Sequence, residues 1–211
     1  MKHLIVLLIT MMITVGCGTG KPTSAPSSVN EVSVTCGEYA GRGTVLSVRE
    51  DGVYVSTAYH IIRSGTELSP ETAPSVAYKD GRTVSSEIVY REEDGDVCIL
   101  RTGEKSAFPK QAEGVLSEEE RELPSKGAPV YFFDETGEMH SGAVTDTGAA
   151  IPGVGTDLLR FDGTVKEGLS GCGVYAGDGS FAGMLIAGDD NYDGAAVKAE
   201  TILSAFAALG E

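Results

Sequence analysis

The chain is short of positive charge. Its 211 residues hold 16 Lys and Arg against 31 Asp and Glu, a formal net charge of −15 at pH 7. Phosphate backbones are bound by clustered cations, so this balance excludes nucleic acid as a partner. It equally excludes electrostatic attachment to an anionic membrane surface. Histidine is scarce, with three residues, and cysteine with four. No Cys-x-x-Cys pair or His/Cys cluster is present, so no metal site is expected, and nothing asks for an organic cofactor. A repeating strand–helix rhythm is missing too, which argues against a parallel α/β sheet. The one long apolar run, Leu4 to Val15, is too short to span a bilayer comfortably.

That run has another reading. Met1-Lys2-His3 is a short charged start, the run is a secretory h-region, and Gly16-Cys17 follows. Residues 1–16 are therefore expected to be a signal peptide of lipoprotein type, with Cys17 lipidated at the mature N-terminus. An ordinary signal peptide is the alternative, because Thr14 stands where the lipoprotein pattern prefers an aliphatic residue. Residues 17–31, rich in Gly, Ser, Thr and Pro, read as a flexible linker. The expected location is the outer face of a bacterial cytoplasmic membrane, with the lipid as the only membrane contact. Three cysteines remain, Cys36, Cys98 and Cys172, and an odd number cannot all pair within the chain. Cys98 and Cys172 lie among apolar residues, where a free thiol behaves as a small hydrophobe; a pair among the three stays open.

From residue 32 the pattern is β. Val32–Cys36, Thr44–Val48, Val53–Thr57, Ser75–Tyr78, Val84–Tyr90 and Val97–Leu100 are strand candidates, with Asp51-Gly52 as a hairpin turn. Residues 103–126, with Glu118-Glu119-Glu120, read as a solvated connector. Pro129–Phe133, Gly142–Thr145, Leu158–Phe161, Gly173–Ala176, Phe181–Ala187 and Ala195–Lys198 form a second set, and 199–209 has the spacing of a closing helix. Many short strands with frequent turns indicate an all-β sandwich or barrel.

Three residues stand out chemically. His60 directly follows a strand, in Thr57-Ala58-Tyr59-His60-Ile61-Ile62, which puts an imidazole at a barrel rim or buries it as a structural group. His140 sits in a polar, turn-like stretch and is expected to be exposed. Asp96 heads Val97-Cys98-Ile99-Leu100, and a strand that apolar normally excludes a carboxylate unless a donor satisfies it. An imidazole N–H is one such donor; a cap on the Gly95 turn is the alternative. Ser170 lies between glycines in Gly168-Leu169-Ser170-Gly171, a tight turn whose backbone N–H groups can converge on developing negative charge.

In this order these segments resemble the trypsin-like serine protease superfamily, most closely its bacterial Deg/HtrA-type branch. Gly41-Arg42-Gly43-Thr44-Val45 through Ile62 resembles the strands leading to that family's histidine. Asp96–Leu100 resembles its aspartate motif, and Gly168–Gly171 its nucleophile turn. The resemblance covers about residues 38–209. It implies two six-stranded antiparallel β-barrels with a short C-terminal helix: a protease domain over 32–211, an N-terminal barrel about 32–110, a C-terminal barrel about 125–200, and a helix about 199–209. It implies a serine endopeptidase in which Ser170 attacks, His60 moves the proton, Asp96 orients the imidazole, and the N–H groups of Gly168 and Ser170 form the oxyanion hole. Peptide or protein is then the substrate, and no metal or cofactor is needed. Thr164, Ile186 and Gly188 fall where a substrate pocket would be, and no acid stands at Thr164, which points to a small or medium apolar residue; Asp189 and Asp190, just beyond, leave a preference for basic groups open. The sequence departs from the family at Leu169, at Cys172-Gly173 and at Tyr59, and no PDZ-like domain is expected after Glu211. The oligomeric state is not legible. A catalytically inactive binding lipoprotein on the same fold is the alternative.

Overall fold

The computed structural model describes residues 28–68, 71–103, 123–188 and 193–210. The expected signal peptide, Cys17 and most of the linker lie outside the described residues, as does 104–122 of the acidic connector. The last residues of the expected linker belong to the fold. Ser28–Asn30 forms a 3-10 turn, and Glu31 already opens the first strand as a buried residue. No helix among the described residues is long and apolar enough to cross a membrane.

Among the described residues twelve strands follow in two sets. The first is β1 (Glu31–Cys36), β2 (Tyr39–Arg49), β3 (Gly52–Ala58), β4 (Ser75–Ala77), β5 (Thr83–Glu92) and β6 (Val97–Thr102). The second is β7 (Pro129–Phe133), β8 (Met139–Ile151), β9 (Gly155–Asp162), β10 (Gly173–Ala176), β11 (Phe181–Gly188) and β12 (Asp193–Lys198). Each set closes into an antiparallel barrel, in the orders β1-β2-β3-β6-β5-β4 and β10-β11-β12-β9-β8-β7. Read from β7, the second order is the first advanced by six strands. Closure leaves neither sheet an unpaired edge. The two six-stranded barrels implied by the family resemblance are thus both present.

Among the described residues two helices complete the fold, α1 (Tyr59–Leu68) and α2 (Ala199–Ala207). Helix α2 is the closing helix of the sequence pattern, seated through Ile202 and Phe206. Helix α1 is new relative to the sequence reading and decides where His60 points.

The apolar runs divide between three cores. Val97 and Ile99 face the second barrel, whereas Cys98 and Leu100 face the interior of the first. A strand buried on both faces reads as an unbroken apolar run rather than an alternation. Val53 and Val55 likewise point inward while Tyr54 and Ala58 join the layer between barrels. That layer includes Met184, Ile186 and Val197 from the second barrel, whose own interior holds Phe132, Phe161, Leu169 and Cys172.

Candidate active site between the barrels

His60 occupies the first turn of α1, immediately after β3. Ile61 enters the layer between barrels and Ile62 enters the first barrel, so consecutive apolar side chains fix the rotation of the helix. Gly65 completes the fit: a Cβ there would stand 2.3 Å from the carbonyl oxygen of Cys36. The first N–H groups of a helix lack intrahelical acceptors. Here Asp96, arriving from the turn before β6, supplies them. Its Oδ1 accepts from the backbone N–H of His60 at 2.7 Å, and its backbone carbonyl accepts from Tyr59 N at 3.1 Å. Its Oδ2 lies 2.7 Å from His60 Nδ1. Both carboxylate oxygens therefore hold one histidine, by main chain and by ring. Asp96 reaches this position with φ 52°, a left-handed conformation that aspartate tolerates better than most residues. With Nδ1 on the carboxylate, Nε2 is the ring atom left for other partners, and the imidazole is partly open to solvent, with a side-chain exposure of 40%.

Ser170 sits on a turn pinned from both sides. Leu169 and Cys172, two departures from the family pattern, point into the second barrel and are buried. Between them, Gly171 donates to the carbonyl of Leu185 at 2.7 Å, and Cys172 N closes the turn onto Leu169 O at 3.0 Å. From the first barrel, Arg42 N donates to Ser170 O at 2.7 Å. Gly41 allows this approach, since a Cβ there would stand 2.8 Å from Ser170 O and 2.2 Å from Ile61 Cδ1. Ser170 is thereby brought against the helix that carries His60. Among the described residues no hydrogen bond joins Ser170 Oγ to His60, and none uses the N–H groups of Gly168 or Ser170.

A cleft of about 240 Å³ opens beside the imidazole, lined by Tyr59, His60, Asp96, Val154 and Ile186. Arg63 and Glu93 also line it and pair with each other at 2.7 Å. Ile186 therefore borders the histidine. Thr164 is exposed in the loop after β9, and it is Val165 that faces Gly188: a Cβ on Gly188 would come 2.5 Å from Val165 Cγ1. In the sequence, Gly41 and Arg42 had only a place in the strand leading to the histidine, and Val165 had none. The one available signal was a charged residue between two glycines inside an apolar strand, Gly41-Arg42-Gly43.

The remaining candidates resolve as structural. Cys36, Cys98 and Cys172 are all free and buried. Burial pushes the Cys98 thiol up to about 12 and the Cys172 thiol well above its ordinary value, so neither supplies a thiolate nucleophile at neutral pH. His140 is not an exposed loop residue: it lies in β8, half-buried, stacked on Phe132 with its Nε2 3.0 Å from Asp134 Oδ2. The strand wins because Met139–Phe133 and His140–Phe132 are ladder partners. Asp134, Glu138 and His140 bring possible metal-ligating atoms within 4.8 Å of one another. Asp134 Oδ1, however, already accepts from Thr136 N, Thr136 Oγ1 and Glu138 N at 2.9, 2.6 and 2.9 Å. The cluster is the fastening of the β7–β8 turn.

The sequence profile of the trypsin-like peptidase domain matches residues 41–184. Among curated proteins no significant match is found. Crystal structures similar in fold include the following two. The serine endoprotease from Yersinia pestis superposes with a TM-score of 0.67 at 18% identity, over 87% of this chain and 63% of that one. Deg5 superposes with a TM-score of 0.67 at 20% identity, over 84% of this chain and 87% of that one. The chain thus spans less than two thirds of the length of the first.

Proposed function

Because the chain belongs to the family of trypsin-like peptidase domains, a serine protease family, we propose that it is a serine endopeptidase acting through Ser170, His60 and Asp96. The observation that carries this reading is the Asp96 carboxylate bonded to both the backbone N–H and Nδ1 of His60. An imidazole so held presents Nε2 as general base. It takes the Ser170 proton as Oγ attacks a peptide carbonyl, then returns that proton to the leaving amine, and water releases the acyl-enzyme by the same route. The unused N–H groups of Gly168 and Ser170 receive the oxyanion; each such donor contributes on the order of 10²–10³ in rate. The reading extends to a peptide or protein substrate with a small or medium apolar residue beside the scissile bond, and to work outside the cytoplasmic membrane on a lipid at Cys17.

One observation favours a second reading, an inactive binding module: the missing hydrogen bond between Ser170 Oγ and His60. Catalytic hydrogen bonds often tighten only with substrate in place, so the two readings part in an experiment. Purified full-length protein is exposed to a fluorophosphonate, beside Ser170→Ala and His60→Ala. Labelling that both substitutions abolish supports the protease; a folded wild type that takes no label supports the binding module.

A further inference from the structure

A second cleft, of about 320 Å³, lies at the seam of the barrels away from His60. It is lined by Glu31 and Ser33 of β1, Arg42 of β2, Lys79, and Glu135 and Thr136 from the turn before β8. Exposed Arg91, Lys126 and Lys166 have no ion pair among the described residues, so what sets Arg42 of this cleft apart is its burial. Arg63, Arg82, Arg101, Arg160 and Lys198 each pair with a carboxylate, and Arg49 stacks on Tyr54 and Phe206. In a protein with 31 acids and 16 cations, such pairing is the expected state. Arg42 has no ion pair among the described residues although it is only 6% exposed. Its Nη1 donates to Ser33 Oγ at 2.9 Å, while Nε is buried without an acceptor. Lys79 Nζ has no partner among the described residues either.

Glu31 does not neutralise this pair by contact. Its carboxylate, wholly buried, is committed to Tyr175 Oη at 2.6 Å, Gly173 N at 3.2 Å and Thr44 Oγ1 at 3.3 Å. We propose that the seam cleft is a binding site for a carboxylate, received by Arg42 and Lys79. A guanidinium edge with free N–H groups matches a carboxylate in shape as well as charge. Exposed Glu135 faces the same cleft, so a singly charged group is favoured over a phosphate dianion. The carboxylate is the end of a peptide chain or a small organic acid.

The site reaches the back of the Ser170 turn. Arg42 holds Ser170 O through its backbone N–H, and Glu31 holds Gly173 N. A ligand that fixes Arg42 therefore stiffens the segment 170–173 from behind.

Titration calorimetry of the full-length protein tests this with tri-alanine, tri-alanine amide, acetate and inorganic phosphate as probes. Tri-alanine binds, and its amide binds at least about tenfold more weakly, the size of one lost charge-assisted contact. Acetate binding as tightly as tri-alanine assigns the site to small acids; tri-alanine binding alone assigns it to a chain end. Lys79→Gln, a surface change that leaves the packing alone, weakens the bound carboxylate by about tenfold, and Arg42→Gln abolishes binding. Hydrogen exchange at the Gly173 amide slows with tri-alanine bound. Equal binding of acid and amide, phosphate binding in place of carboxylates, no saturable carboxylate binding at millimolar concentration, indifference to Lys79→Gln, or unaltered Gly173 exchange overturns the proposal. None of these readouts depends on peptidase activity.

Discussion

The backbone N–H of Arg42 donates to the carbonyl of Ser170 at 2.7 Å, a bond that crosses from the first barrel to the second. It is one of several stitches in the same place. Thr44 Oγ1 donates to Gly171 O at 3.3 Å and Gly173 N donates to Glu31 at 3.2 Å across the same seam, while Thr57 Oγ1 holds Arg42 O at 2.8 Å from within the first barrel. The main chain around Ser170 is thus set by strands β1 and β2 of the opposite barrel, and its shape depends on how closely the two barrels approach.

Gly171 measures that approach. Its φ is +94°, and a Cβ would stand 1.9 Å from Arg42 O and 2.9 Å from Thr57 Oγ1. Gly171→Ala therefore meets both a backbone clash and a left-handed conformation, and at least about 2 kcal/mol of stability is lost. Gly168 has a similar φ, +89°, with nothing within 4 Å of a Cβ. Gly168→Ala costs only the conformational term, about 1–2 kcal/mol. Urea melts of the two variants should rank them in that order, with fluorophosphonate labelling lost in Gly171→Ala.

Asp96 separates orientation from backbone strain. Asn also tolerates φ 52°, so Asp96→Asn keeps the turn and removes the charge that selects the Nδ1–H tautomer. Labelling of Ser170 falls by on the order of 10³–10⁴, with a near-normal melting temperature. Asp96→Ala places an ordinary side chain in the left-handed region and loses the acceptor of His60 N, so its melting temperature falls as well. Equal melting of both variants would show that the carboxylate does not organise α1.

The strands were legible in the sequence because burial on one or both faces leaves a periodic or continuous apolar record, and Asp51-Gly52 announced its hairpin. Helix α1 was not. It spans only Tyr59–Leu68, and Gly65 in its middle costs about 1 kcal/mol in helix propensity. That glycine is required by the close carbonyl of Cys36, a contact no local pattern encodes. At the site, Asp96 was legible as an acid that needed a donor at the head of an apolar strand, with an imidazole and a cap on the Gly95 turn as the two readings; the structure gives it the imidazole of His60. The Arg42–Ser170 bond and the burial of Glu31 were not legible, because they join opposite barrels and exist only after both have closed.

Glu31 makes stability depend on pH in a stated direction. Burial raises its carboxyl above the ordinary range, against the lowering effect of Tyr175, Gly173, Arg42 and Thr44. A raised folded-state value favours the protonated form. The stability it contributes is complete below the ordinary glutamate value of about 4.3 and is lost as pH rises through the folded value. Glu31→Gln removes this titration. The difference in melting temperature, variant minus wild type, should therefore grow more positive from pH 4 to pH 8; a flat difference would place the carboxyl in its ordinary range.

Val165 and Gly188 form the other close pair beside the site. A Cβ on Gly188 would come 2.5 and 2.7 Å from Cγ1 and Cβ of Val165, and Gly194 on the neighbouring strand faces Val165 Cγ2 at 2.9 Å. Val165 thus fills the space that two glycines leave at the open end of β11 and β12. Gly188→Ala forces this branched side chain aside and costs about 1–3 kcal/mol, the usual range for overpacking. Val165→Ala vacates the space. If the clash is what Gly188 avoids, the double variant recovers most of the loss, with a coupling of at least about 1 kcal/mol in a double-mutant cycle. The same vacancy should shift peptide preference: Val165→Ala widens the space beside Gly188 and favours a larger apolar residue at the scissile bond, read from a library of peptide substrates. Additive stability changes would mean that Gly188 is kept for its backbone, and the loop carrying Thr164 and Val165 would then have no hold on the size of the residue accepted.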